Sequence, residues 1–119
     1  MITEFRRLVF SSSELESAIK DFNSEKVRKL PVGDIVGIEI FGEPHICARI
    51  RVGNFYDNSE EQEVVIDQTY LVAAMLYRCM QNRIPMPKSP KKTLECEGDG
   101  LALSFSINAD PQPVKDSDT

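Results

Sequence analysis

Ten of the eleven residues from Tyr70 to Met80 are apolar, and Arg78 alone interrupts them. A helix packed on one neighbour needs an apolar stripe down one side only. A helix of this composition is covered on more than one side. The second cover is either another helix of the same chain or another molecule.

The flanking residues fix where this helix starts and stops. Asp67 is its N-cap, and Ile66 and Leu71 stand at the two positions of a hydrophobic staple. Ile84-Pro85-Met86-Pro87 ends it, because the residue before a proline avoids helical backbone. The same signals occur earlier in the chain. Ser11 caps a helix, Glu14 completes a capping box, and Phe10 and Leu15 form a staple. Leu15, Ala18, Ile19 and Phe22 then recur with helical spacing as one stripe. Glu14, Glu16, Ser17, Lys20 and Asp21 fill the remaining surface. Pro31 blocks any extension of this helix.

The rest of the chain predicts strands. They run over 4–10, 34–41, 45–52, 61–66, 91–97 and 101–107, on β-branched content and alternation. Gly42-Glu43-Pro44 and Gly98-Asp99-Gly100 supply turns. The expected architecture is a single α+β domain over 1–107, in the order βαβββαββ. It has a mainly antiparallel sheet of about six strands with two helices on one face. Residues 108–119 are polar, with two prolines, and are expected to form a disordered tail.

The order of events also suggests an internal βαββ duplication at an offset of 56 residues. Val9/Val65, Ser11/Asp67, Leu15/Leu71, Ala18/Ala74 and Ile19/Met75 correspond, as do the helix stops at Leu30-Pro31 and Met86-Pro87. Glu39/Glu95 and Gly42/Gly98 follow at the same offset.

Two orientations of the second helix remain open. If it copies the first, Leu71, Ala74 and Met75 face the sheet, Arg78 takes the place of Phe22, and Ala73, Leu76, Tyr77 and Met80 are left over. If Gln68, Arg78, Gln81 and Asn82 mark the solvent arc, Val72, Ala73, Leu76 and Met80 face the sheet, and Leu71 and Met75 are left over. Both leave a surplus apolar surface. Leu71, Met75, Leu76, Tyr77 and Met80 are therefore the candidate interface residues of a homodimer, set against packing of the two helices within one chain.

Composition narrows the function. A net charge of −5 and a pI near 4.9 oppose nucleic-acid binding. No stretch approaches the roughly 20 apolar residues of a membrane span. Residues 1–7 hold no apolar segment of a secretory signal. Three cysteines, Cys47, Cys79 and Cys96, suit reduced thiols and a cytoplasmic location.

Chemistry-bearing groupings are sparse. Glu43, His45 and Cys47 are metal-ligand types, but a zinc site takes three or four ligands, commonly in paired spacings, so no metal is expected. A Cys–His nucleophilic pair needs a third, orienting group, and Cys79 in an apolar helix is expected to be inert. No glycine-rich phosphate loop is present, no cofactor is expected, and no catalytic set emerges. Alternation places His45, Arg49 and Arg51 on one strand face, a candidate small-ligand or catalytic surface. With Arg6, Arg7, Lys88, Lys91 and Lys92, and with Phe55 and Tyr56 for stacking, the same face is a candidate site for an anion or nucleic acid. Ser89-Pro90 has the form of a proline-directed phosphorylation site.

The expectation is thus a small cytoplasmic interaction or regulatory module, non-catalytic and self-associating through the helix over 68–82. The alternatives are a ligand-binding or catalytic domain, and an anion or nucleic-acid binder, both using His45, Arg49 and Arg51.

Overall fold

Each helix begins where a side chain takes over a free backbone N–H. Ser11 Oγ accepts from the Glu14 amide at 3.2 Å, and Asp67 Oδ1 accepts from the Tyr70 amide at 2.9 Å. The computed structural model describes residues 3–43, 45–54, 57–84 and 92–108. They form β1 (Thr3–Phe10), α1 (Ser12–Glu25), β2 (Asp34–Phe41), β3 (Cys47–Asn54), β4 (Asp57–Ile66), α2 (Gln68–Gln81), β5 (Lys92–Glu97) and β6 (Gly100–Asn108). This is the expected α+β class and the expected element order. The second arm of the capping box is used elsewhere: the Glu14 carboxylate accepts from Arg78 on the other helix.

All strand pairs are antiparallel, and the six strands divide between two sheets, β1-β6-β5 and β2-β3-β4. A single sheet of six was the simpler expectation. β2 and β5 are edge strands, one in each sheet. β2 carries an irregularity between Ile35 and Gly37, and β5 is only six residues long. Bulges and short length are both features that blunt a sheet edge.

The pairing obeys a two-fold rule. β1 from the first half of the chain joins the β5–β6 hairpin of the second. β4 from the second half joins the β2–β3 hairpin of the first. Phe10 faces Leu101 in one sheet as Ile66 faces Ala48 in the other. Leu94 faces Leu103 as Ile38 faces Ile50. The correspondence is 56 residues through the first three elements of each half and 53 in the last strand. The change arises in the hairpin turns, which span 42–46 in the first half and 98–99 in the second. Each half thus completes the sheet of the other, which is the arrangement a βαββ duplication would produce.

One core lies between the two sheets and the helix pair. Leu15, Ala18 and Ile19 of α1 and their counterparts Leu71, Ala74 and Met75 of α2 are all fully buried in it. Phe10, Ile50, Ile66, Leu101 and Leu103 close it from the strands. The helices cover each other within the chain, and aromatic contacts join them. Phe22 meets Tyr70 with ring centroids 5.1 Å apart, and Tyr77 with centroids 5.8 Å apart. Of the two orientations open for α2, the structure adopts the one that copies α1.

No helix among the described residues is long and apolar enough to cross a membrane. The expected helix stop at 85–87, the stacking residues Phe55 and Tyr56, Lys88, Lys91, Ser89-Pro90 and the tail from 109 onward all lie outside the described residues.

Candidate functional site

β3 is the central strand of its sheet, and alternation turns Ala48, Ile50 and Val52 into the core. Arg49 and Arg51 consequently point outward, where both neighbouring strands meet them with carboxylates. Arg49 lies 3.6 Å from Glu39 on β2 and 3.9 Å from Glu63 on β4, and Arg51 lies 3.4 Å from Glu61 on β4. The Arg49 guanidinium also rests over the Phe41 ring, 4.8 Å from its centroid. Three carboxylates thus answer two guanidinium groups. The carboxylates on β4 also place charge along an edge strand, where it deters pairing with another sheet.

His45 precedes the strand. β3 begins at Cys47, so His45 belongs to the turn before it, and the alternation argument does not extend to it. The turn carries His45, with Ile46 and Cys47, into an open cleft of about 610 Å3 beside the N-terminus of α2, lined also by Thr69, Val72 and Lys92. The related turn of the other half behaves alike. Asp99 packs on the N-terminus of α1, accepting from Ser12 Oγ at 3.0 Å and from the Ser12 amide at 3.4 Å. His45 is therefore placed by hairpin geometry, and the structure brings Arg49 and Arg51 together without it.

Among the described residues no group of three metal-ligand side chains is close enough to hold an ion. Cys79 is fully buried in the core, and burial pushes its thiol up, away from the nucleophilic thiolate.

The five candidate interface residues separate. Leu71 and Met75 are fully buried within the chain, so neither is available to a partner. Tyr77 is half-buried on α1, where its hydroxyl donates to Glu25 and Lys26 lies 5.4 Å from its ring centroid. That hydrogen bond is the main cause holding the Tyr77 phenol above its usual range. Leu76 is half-buried, and Met80 is 68% exposed.

On the side of α2 away from Leu71, Ala74 and Met75 runs a second stripe, Val72, Ala73, Leu76 and Met80, with helical spacing. The equivalent positions of α1 hold Glu16, Ser17, Lys20 and Ser24. One helix has a polar outer face and its counterpart an apolar one. Val72 and Ala73 were missing from the interface expected on sequence. Aligning the two helices at the offset of 56 and comparing them position by position reveals them.

A smaller cavity of about 250 Å3 lies at the C-terminal end of α2, between Leu8, Phe10, Cys79 and Ile84. Sequence reasoning missed it, because its walls come from three separate segments of the chain. No family model, curated protein or solved structure matches this chain, so its functional reading rests on its own geometry.

Proposed function

We propose that the protein is a small non-catalytic interaction module that self-associates through the outer stripe of α2. The carrying observation is the asymmetry between the helices. Val72, Ala73, Leu76 and Met80 stand where α1 has Glu16, Ser17, Lys20 and Ser24. Val72 and Leu76 pack in part against the core of their own chain, and Met80, 68% exposed, carries the apolar surface outward beyond them. An apolar helix surface that remains partly exposed is characteristic of an interaction site. The stripe contains no charge, so two copies meeting about a two-fold axis would be self-complementary, and the two-fold dimer is the commonest closed assembly.

The other readings have less support. An anion at Arg49 or Arg51 would have to displace the glutamates that hold them, and His45 belongs to the turn before β3 and not to the strand.

The test compares sedimentation of the unaltered chain with that of Leu76→Glu and Met80→Glu. Self-association through the stripe requires both variants to sediment as monomers with unchanged secondary structure. Variants that associate as the unaltered chain does would contradict the proposal.

A further inference from the structure

The two halves solve one packing problem in different ways. At the C-terminal end of α1 the space is filled by Tyr70. Its ring meets Phe22 edge-on at 76°, and its hydroxyl donates to the Val27 carbonyl at 2.6 Å. In the 56-residue correspondence Tyr70 is matched by Glu14, Phe22 by Arg78 and Asn23 by Cys79. An aromatic pair in one half is thus an ion pair in the other. At this second place stands the cavity of about 250 Å3 at the end of α2, lined by Leu8, Phe10, Cys79 and Ile84 together with Glu14, Arg78 and Asn82.

The helices also end differently. After α1, the amides of Lys26 and Val27 both return to the Phe22 carbonyl. After α2, the Ile84 amide reaches the Cys79 carbonyl at 2.8 Å across Arg83, which holds a positive φ of 58°. This closure brings Ile84 beside Cys79, the apolar contact that accompanies such helix ends, and both residues line the cavity.

We propose that this cavity binds a small, uncharged, single-ring aromatic molecule, in the simplest case a phenol, seated where the first half keeps the ring of Tyr70. The volume lies below the roughly 300 Å3 at which pockets for larger ligands begin, which suits a single ring. Leu8, Val9, Phe10 and Ile84 give the lining its apolar part. The Arg78 guanidinium has its Nε committed to Glu14 and its Nη1 to Asp21, both at 3.2 Å, and a guanidinium held in this way beside the cavity favours an aromatic ring. An anionic ligand is disfavoured: Arg78 already carries two carboxylates, and Arg7 at the rim is held by Glu95 and Glu97. The site uses a different side of α2 from the outer stripe, so it stands or falls independently of self-association.

The test uses the full chain, labelled for backbone-amide spectroscopy, with phenol as probe and benzoate and cyclohexanol as comparisons. Phenol is expected to bind with a dissociation constant on the order of 1 mM. It should shift the amides of Leu8, Cys79 and Ile84 first, and both comparisons should bind more weakly. The variant Glu14→Tyr with Arg78→Phe installs the first half's own filling. It should fold and lose the response. Four outcomes would overturn the proposal: no response to phenol, shifts centred elsewhere, cyclohexanol or benzoate binding as well as phenol, or a response surviving in the folded double variant. Should the double variant fail to fold, the shift map and the probe comparison on the unaltered chain decide the matter.

Discussion

Arg78 donates from Nε to the Glu14 carboxylate at 3.2 Å, bridging the two helices at the position where, in the other half of the fold, Phe22 meets Tyr70. The two contacts are related by the same 56-residue correspondence that relates the helices, the caps and most of the strands. A shared framework therefore carries two different chemistries at equivalent places. The framework is held by Leu15, Ala18 and Ile19 against Leu71, Ala74 and Met75, which leaves the contacts at the helix ends free to diverge.

The Arg78–Glu14 pair is only partly exposed, and Arg78 is shared with Asp21. A double-mutant cycle with Glu14→Gln and Arg78→Met should give a coupling of about 1 kcal/mol in chemical denaturation. A coupling indistinguishable from zero would mean that the pair is incidental surface.

Truncations on α2 should separate its two faces. Leu71→Ala and Met75→Ala each remove a fully buried side chain and should cost about 3 kcal/mol. Met80→Ala should change the stability of the monomer by no more than about 0.5 kcal/mol. Equal costs at Met75 and Met80 would place α2 in the wrong orientation.

Much of this fold was legible in the sequence because its signals are local. Caps, staples and prolines act within a few residues, so both helices and all six strands fall where those signals point. Other features depend on distant partners. The division into two sheets is set by which half supplies each third strand, and no local pattern encodes that. His45 was misplaced because the strand starts two residues later than its alternation suggests. Arg49 and Arg51 read as a basic face because Glu39, Glu61 and Glu63 come from other strands. The orientation of α2 was one of two open readings, and the Arg78–Glu14 contact chooses between them. The glutamate of the capping box serves that contact instead.

Tyr70 should give stability a defined pH dependence. Burial raises its phenol above the ordinary value of 10.0, so the folded state holds the proton after the unfolded chain has released it. Its contribution is therefore intact below pH 10 and lost as pH rises through the folded value. Tyr70→Phe should cost about 1 kcal/mol at neutral pH through loss of the bond to Val27. The gap between the two proteins should shrink above pH 10 in denaturation series. A gap that widens there would contradict the assignment.

The glycines of the β5–β6 hairpin should respond unequally to alanine. Gly98 has φ of +57° and open space around it, so Gly98→Ala should cost about 1 kcal/mol from backbone strain alone. At Gly100 an added Cβ would lie 1.9 Å from the Phe10 carbonyl oxygen, where β1 joins the hairpin. Gly100→Ala should therefore cost about 3 kcal/mol, because backbone must move. Thermal melts of the two variants check this, and a milder effect at Gly100 than at Gly98 would contradict the strand exchange at that point.

The most direct test of self-association through α2 is the absolute mass of the unaltered chain in solution, by light scattering over a wide concentration range. The account predicts a species of twice the 13.4 kDa chain mass that gives way to the monomer on dilution. A mass of 13.4 kDa at every concentration would contradict it, and would mean that the stripe of Val72, Ala73, Leu76 and Met80 does not bring two copies together.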